Sequence, residues 1–272
     1  MKSIFEIENR LNVEKEFKRL MDAICYDREA IIFSRHKDSN RHYGTIFEAI
    51  DEVAFLEWKY RDTFLNVIEY FEHIGIDYKN VILGKRYNIG NEAFLFFLEF
   101  LVNIFKVFEN DERIEFTDRA IAYIQNIPRI LEKMNYELAK QEDKIIITKR
   151  DADVDSVLEN VPKNVANLLL EYNDFRIRND IEAKKKILKA LDLYIENNIK
   201  IKEFDSELDN TIGTITNKMG INHPRIEEPY KSYTDEQLLE WYDKCFLMML
   251  HVIRTVEIRK IKKERKDIVN KQ

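Results

Sequence analysis

AFLFFLEFLVNIFKVF, running from Ala93 to Phe108, decides between a membrane span and a buried helix. Spanning a bilayer takes roughly 20 uninterrupted apolar residues. This stretch is shorter, and Glu99, Asn103 and Lys106 interrupt it. A helix apolar almost all round, yet too short to span, is a central core helix. The rest of the chain agrees. Of its 272 residues, 45 % are hydrophobic and 35 % charged, with 17 Phe and 13 Tyr. That is enough apolar material for a core, and it excludes wholesale disorder. With 6 Gly and 4 Pro, turns are scarce, which argues against sandwiches, barrels and propellers and for long helices. The expected fold is predominantly all-α: helical bundles with one small β-hairpin between two helical halves.

Working outward, Ile46, Ile50, Val53, Phe64, Val67, Ile68 and Phe71 recur at helical spacing and predict one helix from Ile46 to His73, stopped by Gly75. The polar run Ser34 to Gly44 before it predicts a loop. Thr117 begins a further helix, which Pro128 should start, kink or divide. KIIITK, Lys144 to Lys149, is short and β-branched, and it is expected to pair with Tyr136 to Lys140 as a hairpin. Short helices are expected after Asp153, as a cap, and over 164–172. Longer ones are expected over 181–196, capped by Asp180, and over 207–219, ended by Gly220. Thr234-Asp235-Glu236-Gln237 is a capping box opening a long last helix, with Leu238, Tyr242, Cys245, Met249 and Val252 on one buried stripe. His251 should lie half-buried beside that stripe. The expected division is an N-terminal helical domain over 1–135, a hairpin and connector over 136–160, and a C-terminal bundle over 161–272.

Several chemistries are excluded. There is no GxxxxGK[ST], GxGxxG or HExxH, so nucleotide cofactors and zinc proteolysis find no motif. Asp151, Asp153 and Asp155 alternate as in a calcium loop, but Ser156 and Pro162 stand where such a loop needs Gly and Glu. No metal and no cofactor is expected. Two cysteines, Cys25 and Cys245, make no disulfide framework. The charged start MKSIFEIENR lacks the apolar stretch of a signal peptide, so a cytoplasmic location is expected, with no membrane partner.

Charge is unevenly spread. Arg254 to Gln272 carries 8 basic and 3 acidic residues, a local balance of +5 in a chain of net −6. Arg259, Lys260, Lys262 and Lys263 sit at the end of the last helix, where they suit the helix dipole and could also meet RNA phosphates. His223 lies in the connection Ile221-Asn222-His223-Pro224-Arg225. A loop histidine beside arginine suits general acid–base work on RNA, the arginine neutralising phosphate charge. The alternative is a histidine satisfying backbone groups at a turn.

Residues 168 to 254 carry a family resemblance. LLLEYNDFRIRNDIEAKKKILKALDLYIEN (Leu168 to Asn197), LDNTIGTITNKMGINHP (Leu208 to Pro224) and LLEWYDKCFLMMLHVIR (Leu238 to Arg254) resemble successive blocks of prokaryotic abortive-infection (AbiJ-like) proteins with a C-terminal HEPN-like helical domain. The E-W-Y-D helix, Glu240 to Asp243, is the strongest matching element. The resemblance implies a small helical bundle of a phage-defence or toxin-like protein. It also implies a metal-independent endoribonuclease, often dimeric, using an arginine and a histidine with four to six residues between them. Where the related pattern reads Ile-Arg-His, this chain has Ile221-Asn222-His223, so the pair is incomplete. Arg35 and His42 have the spacing but lie far upstream, by chance. The expected catalytic set is therefore His223, Arg225 and Arg178. The expected RNA contacts are Arg176, Arg178, Arg259, Lys260, Lys262 and Lys263, unless Asp174, Asp180 and Glu182 neutralise the nearby arginines. The other expectation is a non-catalytic helical module that dimerises or binds a partner.

Overall fold

The computed structural model describes residues 11–37, 39–83 and 89–269. The fold is predominantly helical, with two small sheets. The chain divides into two compact units between Ile147 and Thr148.

In the first unit, α1 (Val13–Tyr26) starts at Asn12, whose side chain accepts the Lys15 N–H, and it buries Phe17, Leu20, Met21 and Ile24. Strand β1 (Ile31–Phe33) is the centre of a three-stranded antiparallel sheet, between β2 (His42–Gly44) and a third strand later in the chain. Helix α2 (Ile46–Ala49) begins with a full capping box between Thr45 and Glu48. It continues as a π turn over Ile50–Ala54 and a 3-10 turn over Phe55–Glu57. Here the expected single helix fails. Trp58 turns extended, with ψ 112°, and Asp62 is left-handed, with φ 54°. Helix α3 (Val67–His73) starts anew where Asn66 accepts the Glu69 N–H. A side-chain cap offers the backbone an alternative to helical continuation, and the buried Trp58 ring packs edge-on to Phe100. Helical spacing thus carried across the break by coincidence.

After the short α4 (Tyr78–Ile82) comes α5 (Asn91–Glu109), the Phe-rich core helix. Phe94, Phe97, Phe100 and Phe108 are fully buried, and Phe71 meets Phe97 and Phe100 in T-shaped contacts at 5.8 and 5.4 Å. Strand β3 (Ile114–Phe116) closes the first sheet against β1. This sheet was not expected, because three-residue strands are too short to show an alternating pattern. Helix α6 (Asp118–Lys133) runs on through Pro128, which therefore neither starts nor divides it. The missing N–H costs that helix one backbone hydrogen bond without ending it.

Strands β4 (Tyr136–Gln141) and β5 (Lys144–Lys149) form the expected hairpin, turning through Glu142 at φ 56°. The polar residues of α5 explain themselves here. Glu99 accepts the Ile147 N–H at 3.1 Å and holds the Lys144 ammonium at 2.8 Å. Asn103 donates to the Ile145 carbonyl at 2.7 Å and accepts its N–H at 3.0 Å. Lys106 reaches the Asp143 carbonyl at 3.2 Å. One helical stripe thus satisfies the edge of β5 that β4 leaves unpaired.

The second unit is a helical bundle. Helix α7 (Ala152–Leu158) is capped by Asp151, two residues earlier than the expected Asp153. Helices α8 (Lys163–Tyr172), α9 (Ile181–Asn198) and α10 (Ser206–Lys218) follow, with Asp180 and Asp205 capping the last two. Gly220 ends α10 at φ 82°. Helix α11 (Asp235–Val269) packs on α7, α9 and α10. Thr234 and Gln237 form its capping box, and Leu238, Tyr242, Cys245, Met249 and Val252 are buried as the stripe requires. Tyr172 stacks flat on Phe246 at 4.0 Å. His251 is exposed, not half-buried: it projects from the outer side of α11, 3.5 Å from Thr255. Burial on α11 ends at Ile253, and residues 258–263 are exposed all round.

Candidate nucleic-acid interface

Helix α9 has two kinds of lysine. Its apolar face places Ile187, Leu188, Leu191 and Ile195 in the core. The outer face carries Glu182, Lys185, Lys186 and Lys189, spaced three and four apart and therefore on one stripe. This stripe forms one wall of a cleft of about 400 Å³, whose other wall is the turn Gly220-Ile221-Asn222 with Pro224.

The turn is held rigidly. Asn222 donates its amide to buried Asp192 at 2.8 Å, and its N–H to the Thr216 carbonyl at 2.8 Å. Met219 and Ile226 bridge as in an antiparallel pair, and the Glu227 N–H donates to the Lys218 carbonyl at 2.9 Å. Gly220 is required, because its φ is 82° and a Cβ would lie 3.2 Å from Ile226. On the helix wall Lys185 pairs with Glu182 at 2.8 Å, and Lys189 lies 3.4 Å from the Asn222 carbonyl. Three ammonium groups face one carboxylate, so the cleft keeps a positive surplus.

A larger cleft, about 770 Å³, lies in the first unit and includes Lys59, Lys106, Arg113 and Asp143. Its charges are mostly matched. Lys59 and Tyr60 hold Asp143, Arg113 lies between Asp111 and Glu57, and Lys37 is 3.7 Å from Glu112. The lysine cleft is the better anion site.

The expected site residues are spread across the second unit. His223 and Arg225 are exposed in the turn beside the lysine cleft. Arg178 ends the 3-10 turn before α9, and Arg176 is forked onto buried Asp174. Arg259 lies over the Phe204 ring at 4.3 Å, Lys260 pairs with Glu257 at 2.7 Å, and Lys262 and Lys263 are exposed. The upstream pair is engaged elsewhere. Arg35 is forked onto Glu52, and the His42 ring leans on Phe33 at 4.7 Å.

Lys185, Lys186 and Lys189 were not among the expected site residues. Their signal is the spacing of lysines opposite an apolar stripe. Lys184 was not expected either. It is 4 % exposed and donates to Asp243 of the E-W-Y-D segment at 2.5 Å. The Tyr172 hydroxyl donates to the same oxygen at 2.9 Å, and the Lys184 ammonium lies 4.9 Å from the Tyr172 ring centroid. Burial, reinforced by the Asp243 charge, holds the Tyr172 phenol well above the ordinary range. Burial pushes the Cys245 thiol up to about 12, so it is a packing group and not a nucleophile. Among the described residues, no three His, Cys, Asp or Glu side chains are grouped to hold a metal ion, and no helix is long and apolar enough to cross a membrane.

No family model, no curated protein and no solved structure matches the chain.

Proposed function

We propose that the C-terminal unit binds RNA, as the helical module of a phage-defence or toxin-like protein. The observation that carries this is the positive surplus of the cleft between Lys185, Lys186 and Lys189 and the turn Gly220 to Pro224. A cleft lined by one sign of charge attracts polyanions even on an acidic protein. The basic end of α11, exposed over residues 258–263, adds a second positive surface. The resemblance of Leu168 to Arg254 to abortive-infection proteins supplies the biological setting. His223, exposed at the cleft's edge, is the group that would move a proton if bound RNA were also cut, with Arg225 or Arg178 neutralising phosphate charge.

A gel-shift titration at low salt tests the proposal. Single-stranded RNA should shift with the wild-type chain and fail to shift with K185E/K186E/K189E. No shift at micromolar wild-type protein would refute RNA binding. Incubation of RNA with wild type and His223→Ala, both in EDTA, tests cleavage separately.

One observation favours a second reading, a dimerising helical module. Leu247, Ile258 and Ile261 are exposed on α11 at spacings of eleven and three, which bring them to one face. The same stretch is strongly basic, so two copies would repel where a polyanion would be attracted. Light scattering separates the readings, since a strict monomer removes this one.

A further inference from the structure

A second cleft in the C-terminal unit, about 380 Å³, adjoins the first through the chain itself. Met219 lines this cleft, and the next residue, Gly220, lines the lysine cleft. Buried Ile215 and Met219 line it with the half-buried rings of Trp241 and Tyr230 and the polar residues Glu207 and Asn210. Its volume falls at the small end of ligand pockets, the size for one ring system and not an extended chain.

The polar side has a definite hydrogen-bonding character. Thr211 donates its hydroxyl to the Glu207 carbonyl and Thr214 donates to the Asn210 carbonyl, each at 2.8 Å. Both threonines line the cleft, and with their hydroxyl protons already committed they have lone pairs only to offer. Glu207 adds a carboxylate, an acceptor when ionised. The Asn210 amide and the Ser206 and Tyr230 hydroxyls, which also line the cleft, can both donate and accept, so acceptors are in excess. Such a wall suits a planar ligand rich in N–H donors. The aromatic side is made by the half-buried Trp241 and Tyr230 rings, and the Lys244 ammonium lies over the Trp241 ring, 4.7 Å from its centroid, adding positive charge.

We propose that this cleft takes one unstacked nucleobase carrying an exocyclic amino group, adenine or cytosine in preference to uracil, from a single-stranded RNA whose phosphates lie along Lys185, Lys186 and Lys189. The inference rests on the RNA-binding reading and adds to it the state of the strand and the kind of base. Positive track plus aromatic platform is the combination that single-strand binding uses. Acceptors facing the base favour amino-bearing edges, because uracil would set its own carbonyls against them.

The test uses the full chain and fluorescein-labelled A10, C10 and U10 oligoribonucleotides, read by anisotropy. The expected result is that A10 and C10 bind several-fold more tightly than U10. Trp241→Ala should weaken A10 about tenfold, within the range for loss of one stacked base. Glu207→Ala, on the surface of α10, should bring A10 and C10 toward U10 without weakening U10. Circular dichroism confirms that each variant is folded, and Trp241→Phe should restore most of the A10 affinity. Equal binding of all three oligomers, unchanged by Trp241→Ala and Glu207→Ala, overturns the base site while leaving RNA binding intact. No binding of any oligomer by the wild type overturns both.

Discussion

The Lys184 ammonium and the Tyr172 hydroxyl meet on one oxygen of Asp243, at 2.5 and 2.9 Å. Three helices are joined at that atom: α8 through Tyr172, α9 through Lys184 and α11 through Asp243. The lysine is 4 % exposed while the Asp243 side chain is 55 % exposed. The arrangement therefore brings a buried cation to the edge of solvent, where its charge is matched.

Removing the acceptor strands that cation. Breaking a fully buried pair costs about 3–5 kcal/mol. The half-exposed carboxylate is partly screened, which lowers the expected cost of Asp243→Asn to roughly 2 kcal/mol. Urea unfolding should show it, and the double variant K184M/D243N should recover part of the loss. A D243N midpoint equal to wild type would contradict the role.

Asn103→Leu makes the core helix α5 more apolar and is nevertheless expected to destabilise. Both backbone groups of Ile145 lose their partner, and buried unpaired groups cost about 1–3 kcal/mol each. The first unit should melt earlier. A stabilised variant would mean that hydrophobicity, and not satisfaction of the β5 edge, decides this position.

Alkaline pH should weaken the fold. Burial, with the Asp192 charge, pushes the Cys245 thiol to about 12. Burial also pushes Tyr242 to about 12, and Cys25 to about 12 against a lowering hydrogen bond from Tyr78. In the unfolded chain these groups ionise at roughly 8.5 to 10. The folded chain then holds more protons than the unfolded one, so stability is complete below about pH 8.5 and falls as pH rises toward 12. Urea midpoints at pH 7.5, 9 and 10 should decline in that order.

The same burial makes a chemical prediction. A disulfide reagent such as DTNB should label neither thiol at an appreciable rate in the native chain at pH 7.5, and both in denaturant. Fast native labelling of Cys245 would show that α11 opens locally.

Long periodic elements were legible in the sequence, and short ones were not. The capping box at Thr234, the Asp180 cap and the stripe from Leu238 to Val252 are local signals, and they sit where expected. The hairpin was legible because β5 is β-branched between charged turns. The three-residue strands β1, β2 and β3 have no pattern of their own, since each exists by pairing with another segment of the chain. Asn66 broke a helix whose apolar spacing ran on past it. Of the site, His223 could be singled out as a turn residue by its proline. The lysine cleft could not, because one wall belongs to α9 and the other to a turn more than thirty residues later. Lys184 looks like Lys185 and Lys186 in sequence, yet one position along a helix is a turn of about 100°, enough to move it from solvent to core.

The most direct test of the central claim is the salt dependence of RNA binding by wild type and by K185Q/K186Q/K189Q. For single strands the logarithm of affinity falls with the logarithm of salt at a slope of about 0.7 per neutralised phosphate. If Lys185, Lys186 and Lys189 hold the backbone, neutralising all three should lower that slope by about 2 and weaken binding at low salt. An unchanged slope and affinity in the triple variant, or no binding by the wild type, would contradict the claim.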